Sequence, residues 1–311
     1  QTTEGTPAFI HAGPFANIAH GNSSIIADRL ALSIHDIVVT EAGFGADLGA
    51  EKALHIKTNA SGLAPDCIVV NVTVRSMKMH GLGMVGLPNG KDALDEENVE
   101  MVRHGASANL SRHIENMSRF GPDVIVSINR FPTDSDGEIS AIMEIAKDAG
   151  AADVALYEGH SKGGEGAVEL ANAVSKAVQR HMAAGRPFNP LFEGNAPVIE
   201  KIENIAKSIY GASGISIKPR AKKQLDKINE WGYGNLPVCM AKTQYSFSHD
   251  PAQYGAPTDF TLPVREFRLN AGAGFIVAVC GDMMTMPGLP KIPAAEGMDM
   301  DKDGNLTGIF S

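Results

Sequence analysis

Val38-Val39-Thr40-Glu41-Ala42-Gly43-Phe44-Gly45-Ala46-Asp47-Leu48-Gly49-Ala50-Glu51-Lys52 decides the fold when read with Pro7-Ala8-Phe9-Ile10-His11-Ala12-Gly13-Pro14-Phe15-Ala16-Asn17-Ile18-Ala19-His20-Gly21. In both, a short apolar run stops at a small-residue polar turn, the pattern of a buried parallel strand entering a loop. Open α/β sheets place their ligands in such loops. Glycine and alanine there let backbone N–H groups approach an anion, while Asn17, His20 and Asp47 supply side-chain chemistry.

Outward from that stretch, strand-like and helix-like patterns alternate. Strands are expected near 8–12, 36–40, 67–74, 123–129 and 152–157, and helices near 22–34, 94–119, 136–149, 163–184, 196–210 and 219–230. Val99, Met101, Val102, Ala106, Leu110, Ile114 and Met117 keep a helical period. Alternation of this kind predicts an α/β fold with right-handed crossovers and mostly parallel sheets. After Pro237 the texture changes to short β-rich runs at 238–242, 264–269 and 275–279, a small C-terminal unit. The Gly-rich stretch 81–94 reads as a loop. The expected domains are 1–119, 120–235 and 236–311.

Composition narrows the function. The 33 glycines and few aromatics suit many strand-to-helix turns. A net charge of −9 argues against a general nucleic-acid binder. Small anions remain admissible, because Arg75, Lys78, Arg103, Arg130 and Lys162 could form a local positive pocket. Cys67, Cys239 and Cys280 sit apart in apolar runs and read as buried thiols. No apolar run reaches the length of a membrane span, and cytoplasmic is the default location.

Several motifs carry less than their spelling suggests. Gly81-Leu82-Gly83-Met84-Val85-Gly86 spells a dinucleotide fingerprint, but Leu87-Pro88-Asn89-Gly90 follows it as turn chemistry. Asp299, Asp301, Asp303 and Gly304 mimic the start of a calcium loop whose twelfth position is Phe310, so a hairpin turn at 302–305 is preferred. The histidines show no metal-binding spacing; His20 and His11 are site candidates, and His35, His55, His104, His113, His181 and His249 read as structural. Phe131-Pro132 ends a strand, with Thr133 or Asp134 as the expected cap of the next helix, or offers a flat surface to an aromatic heterocycle. Trp231 is expected to pack structurally at a helix end.

The words GPFANIAHG and TEAGFGADLGAEK resemble the formate–tetrahydrofolate ligase (10-formyltetrahydrofolate synthetase) family. Support comes from Val74-Arg75-Ser76-Met77-Lys78-Met79-His80-Gly81, Ile128-Asn129-Arg130-Phe131-Pro132-Thr133-Asp134, Lys162-Gly163-Gly164-Glu165-Gly166, the run from Gly232 to Ser248, and Met284-Thr285-Met286-Pro287-Gly288-Leu289-Pro290-Lys291. The resemblance runs in order across nearly the whole sequence. It implies a P-loop NTPase-like ligase architecture and ATP-dependent formylation of tetrahydrofolate through formyl phosphate. ATP with Mg²⁺, formate and tetrahydrofolate would be substrates, a monovalent cation an admissible ligand, and a homo-oligomer the expected assembly. The family's phosphate loop lies upstream of the matching words, and G-x-x-x-x-G-K-[ST] does not occur here. The expectation is a C-terminal portion, partnered by a phosphate-loop half and inactive alone.

The resemblance implies a folate pocket of Phe131, Pro132, Leu156 and His160, where His160 stands in place of the family's usual Trp. The formyl phosphate region is assigned to Ala16, Phe44, Gly45 and Ala46, and catalytic roles to Asn17, His20 and Asp47. Glu41 and Asp47 are candidates to orient the amine or a cation, with helix capping by Asp47 as the rival reading. Two other functions compete: a non-catalytic folate-binding or scaffolding subunit, and a nicotinamide-dependent oxidoreductase resting on residues 81–86.

Overall fold

A computed structural model describes residues 1–2, 4–10, 15–85, 94–282, 291–300, 302 and 306–308. After an N-terminal coil, α1 (Ile25–Ile34) starts at Ser24, whose side chain accepts the Ala27 N–H. A helical run over 49–61 follows: α2 (Gly49–Lys52), a π turn at Ala53–Lys57, and α3 (Thr58–Ser61). Then come β1 (Cys67–Val72), α4 (Val74–Val85), and a second interrupted run of α5 (Val99–Gly105), a π turn at Ala106–Leu110 and α6 (Ser111–Ser118).

The next elements are β2 (Asp123–Asn129), α7 (Asp136–Asp148), β3 (Asp153–Tyr157), the short α8 (Gly159–Lys162), a 3₁₀ turn at Gly163–Ala167 and α9 (Val168–Ala184). β1, β2 and β3 pair in that order, all parallel. β2 is central, and its five middle residues are buried in succession, as in a strand covered on both faces. Ile139, Ala141, Ile142, Ile145 and Ala146 give α7 a helical apolar face. A reciprocal Ser135–Glu138 cap starts that helix.

α10 (Val198–Ser208), β4 (Gly214–Ile217) and α11 (Pro219–Glu230) lead into β5 (Val238–Ala241), β6 (Thr261–Val264), β7 (Glu266–Asn270) and β8 (Phe275–Val279). β4 pairs with β6 in parallel. β8 lies between β5, parallel to it, and β7, antiparallel to it. One apolar cluster extends from Leu54 through β1–β3 and α10 to Cys280 on the far side of β8. No helix among the described residues is long and apolar enough to cross a membrane.

The α/β class with parallel sheets and a small β-rich C-terminal region is as expected. Individual elements differ. Residues 36–40 are not a strand, and neither are 8–10, while 11 and 12 lie outside the described residues along with candidate His11. β1 stops at Val72, because Thr73 and Ser76 exchange hydrogen bonds that start α4. Helix α4 reaches Val85, so the first part of the expected 81–94 loop is helical and Gly81 is inside a helix, not in a strand-to-helix turn. Gly81 is needed there for packing, since a Cβ would lie 2.1 Å from the Met101 carbonyl oxygen of α5. Gly83 lies in the same helix, and Gly86 lies outside the described residues.

The helical run 49–61 and β4 carried no clear periodicity. The helix expected from 163 is a 3₁₀ turn as far as Ala167. Arg265 breaks the expected 264–269 run into β6 and β7. A two-residue ladder, β9 (Asp299–Met300) with β10 (Leu306–Thr307), flanks the expected hairpin turn, most of which lies outside the described residues. Trp231 caps α11 but is 61% exposed, so its expected structural packing is not found.

Candidate active site

The two opening motifs meet in space although neither carries a strand among the described residues. The Gly43 N–H donates to the Gly21 carbonyl at 3.1 Å, and the Asn22 amide donates to the Glu41 carbonyl at 2.8 Å. Ser23 and Thr40 hydroxyls pair at 2.6 Å. The small residues are demanded by this approach. A Cβ on Gly21, which has φ +61°, would lie 2.2 Å from the Ala16 Cβ, and one on Gly49 would lie 2.0 Å from the Gly43 carbonyl oxygen. Ala16 and Asn17 are buried, His20 is half-buried, and Phe15 and Phe44 rings lie 6.4 Å apart.

Phe44 has φ +61°, a left-handed backbone that a bulky residue adopts only when its surroundings impose it. It leaves the ring 40% exposed at the tip of the second loop. Gly45 and Ala46 follow, half-buried, and the Gly45 carbonyl receives the Leu48 N–H at 2.9 Å as the chain turns into α2.

Under this tip lies a group of buried charges drawn from distant parts of the sequence. Lys242, at the end of β5, pairs with Asp47 at 2.6 Å, with its side chain fully buried. Its ammonium also donates to the Thr243 carbonyl at 3.2 Å and to the Ser246 carbonyl, and lies 4.9 Å from the Tyr210 ring centre. Burial alone would push the Asp47 carboxyl up; the charge and hydrogen bond of Lys242, together with His113 and Lys52, outweigh it and hold Asp47 below the usual carboxylate range. Burial pushes Lys242 down, and Asp47 works against that. Asp47 does not cap α2, whose N-cap is Leu48 with no side-chain bond. Its carboxylate faces inward, and a buried ion pair fixes the loop end that carries Phe44 and Gly45.

His113 on α6, read from sequence as structural, belongs to this group. A Cβ on Gly45 would lie 2.5 Å from the Asp47 Oδ1 and 3.4 Å from the His113 Cε1, which places all three side by side. The ring packs on Phe247 at 4.6 Å, and its Nδ1 finds no partner among the described residues. Burial pushes its imidazole down. His80 on α4 is held down to about 4, chiefly by burial and then by His113; its Nδ1 accepts the Gly255 N–H at 3.4 Å. Both helical runs that reach the site, 49–61 and 99–118, carry a π turn, a feature frequent beside functional sites. Sequence spacing gave no sign of Lys242 or His113, since each lies far along the chain from Asp47.

The expected folate residues gather at the carboxyl edge of β2 and β3. Ile128 of β2 pairs with Leu156 of β3, and Phe131 and Pro132 follow β2 directly. Phe131 is 47% exposed, Pro132 and His160 are exposed, and His160 lies in α8 just past β3. Asp134 accepts the Phe131 N–H at 2.8 Å and fixes the turn, while Ser135, not Thr133 or Asp134, caps α7.

The expected positive pocket does not form. Arg75 pairs with Asp95, Lys78 with Glu138, Arg103 with Glu144, Arg130 with Asp136 and Lys162 with Glu158, so each charge is locally neutralised. Cationic side chains gather elsewhere: Lys218, Arg220, Arg265 and Arg268 line a cleft of about 450 Å³ beside Ile18, with Glu266 and Asp282 among them. The three thiols are unpaired; Cys239 and Cys280 are buried and pushed up to about 12, whereas Cys67 is only half-buried.

The family model described as formate–tetrahydrofolate ligase matches residues 1–310. A formate–tetrahydrofolate ligase of Ruegeria sp. (strain TM1040) is 52% identical over 310 residues, covering 100% of this chain and 54% of its own. Those of Symbiobacterium thermophilum and Roseobacter denitrificans are 49% and 50% identical, again over 100% of this chain and 54% of theirs. The chain thus spans about half the length of the curated relatives it matches. With site loops, core and full-length similarity in agreement, the chain belongs to the formate–tetrahydrofolate ligase family.

Proposed function

We propose that this chain forms one wall of a site that ligates formate to tetrahydrofolate at the expense of ATP, giving 10-formyltetrahydrofolate. One observation carries the reading. The two motifs on which the family resemblance rests pack against each other and present Phe44 on a loop end locked by a buried ion pair. A formate oxygen would attack the γ-phosphorus of ATP, expelling ADP and leaving formyl phosphate. The folate amine would then attack the formyl carbon, breaking the C–O bond and expelling phosphate. Both steps move negative charge, so fixed donors matter more than a covalent nucleophile.

In this reading Ala16, Gly45 and Ala46 offer backbone donors and Phe44 a ring wall to formyl phosphate. Asn17 and His20 lie beside that position, and Asp47 acts by holding the loop. Phe131, Pro132, Leu156 and His160 form the shelf for the pterin. Where the family usually has Trp, His160 offers a smaller, titratable ring. Among the described residues no group of three or more His, Cys, Asp or Glu side chains is placed to hold a metal ion, so Mg²⁺ would arrive with the nucleotide phosphates. The phosphate loop, absent from this sequence as a motif, would come from the other part of the family's architecture.

The test is product formation from ATP, formate and tetrahydrofolate, followed as the acid-converted methenyl form. This chain is assayed alone and with a phosphate-loop half supplied from a relative. Activity only in the mixture supports the reading. Activity of the chain alone overturns the assignment of the phosphate loop to another part. Folate binding without product in either case points to a binding or scaffolding subunit.

A further inference from the structure

Helix α1 is built inside out. Its single acid, Asp28, turns toward the body of the protein and pairs with the buried Lys57 of the π turn at 53–57. Its aliphatic side chains point away: Ile26 is 80% exposed, Ile34 60%, and Leu30 and Leu32 about half, and Ala31 alone is buried. The extended segment beyond continues the pattern, with Ile37 63% and Val39 88% exposed on one face and Val38 half-buried on the other. Six large aliphatic side chains within fourteen residues thus face water. Of these, Ile26, Leu30 and Ile34 recur every four residues on one side of α1, whereas Leu32 lies on another; isolated exposed aliphatics are ordinary, but a row of this kind marks a surface that something covers.

Residues 37–40 add a second observation. They are β-branched, with Val38 half-buried between the exposed Ile37 and Val39, and lead straight into the loop at 41–47, yet have no ladder partner among the described residues. In open α/β folds a ligand loop of this kind leaves the carboxyl end of a strand that lies within a sheet. Here the loop and the strand-like segment are present, and among the described residues no sheet includes them.

We propose that the face formed by α1 and residues 36–40 is the docking surface for the portion of the family's chain beyond the matched 54%, which contributes a β-strand to pair with residues 37–40 and apolar side chains to cover Ile26, Leu30, Ile34 and Val39. This rests on the ligase reading in one respect: the loop that residues 37–40 feed is the one assigned to formyl phosphate. Pairing would then set that loop beside the phosphate loop carried by the other portion. A second copy of this chain is the competing occupant, but it would bring no further sheet for residues 37–40 to complete.

The test compares amide hydrogen exchange over residues 26–40 of this chain with the aligned segment of the intact Ruegeria relative. The expected result is slowing by about 100-fold or more in the intact relative for the amides aligned with 37–40. A double substitution, Ile26→Lys with Val39→Lys, should shift the melting temperature of this chain by less than about 2 °C, because both side chains are already exposed. The same change at the aligned positions of the intact relative should lower its melting temperature by about 10 °C or more. Equally fast exchange in both proteins overturns the proposal. So does a dimer of this chain, seen by light scattering, that the double substitution dissociates. Product formation by this chain mixed with the phosphate-loop half separates the two claims: protection without product sinks the ligase reading and keeps the docking surface, and product without protection does the reverse.

Discussion

The two walls assigned to the site are held in opposite ways. The loop end that carries Phe44 sits on a buried charge pair, Asp47 with Lys242, whose members lie 195 residues apart in sequence. The shelf of Phe131, Pro132 and His160 is shallow and exposed, supported by neighbouring strands and by ion pairs such as Arg130–Asp136 and Lys162–Glu158 at the surface. Exposed ion pairs contribute little, whereas breaking a buried one leaves a charge stranded in low dielectric. Geometry and stability are therefore coupled at the first wall and separable at the second.

The largest expected break is Lys242→Met, which strands Asp47. It should cost about 3–5 kcal/mol in urea unfolding, with Asp47→Asn added to it restoring part of the loss. A cost under about 1 kcal/mol would show that the pair does not hold the loop.

Acidification should follow at about 3 kcal/mol between pH 6.5 and 4. His80 in the folded chain titrates at about 4 against an ordinary 6.5, so the unfolded chain takes up a proton that the folded one refuses. Its contribution is whole above pH 6.5 and is lost as pH falls toward 4. Asp47 acts lower, because its depressed carboxyl withdraws support only below its ordinary value of 3.8. Urea titrations at pH 7 and 4.5 should show the first loss, and His80→Gln should flatten it.

Gly49→Ala probes the packing between the two loops, since the new Cβ would meet the Gly43 carbonyl. A loss of about 1–3 kcal/mol is expected, with a rise in the Kd for inorganic phosphate measured by calorimetry. Phe131→Ala should be the mildest for folding, under about 0.5 kcal/mol, yet weaken tetrahydrofolate binding by about 2- to 10-fold. A variant that loses stability without losing affinity would remove Phe131 from the shelf.

Legibility in the sequence followed the range of the interaction. β2, α7, β3 and α11 were readable because each satisfies its pattern locally: a continuous apolar strand, a capped amphipathic helix, a proline at a helix start. Residues 36–40 read as a strand for the same local reasons, and failed because a strand needs a neighbour to bond with. The helical run 49–61 was missed because it buries charged residues, Glu51, Lys52, His55 and Lys57, where an amphipathic pattern predicts apolar ones. Glu51 and His55 keep a helical i,i+4 spacing, but the pair of Lys57 with Asp28 becomes visible only when the chain is folded.

The sequence by itself determined the class of fold, the family and the two small-residue loops, because patterning, turn chemistry and motif order are properties of neighbouring residues. Only the tertiary structure decided that those loops touch, that Asp47 faces Lys242 instead of capping a helix, that His113 lies beside it, and that the cations expected to gather are each neutralised by a carboxylate. Apart from i,i+4 pairs such as Glu158 with Lys162, charge–charge contacts act through space and carry no period along the chain, so folding reveals which of the others meet.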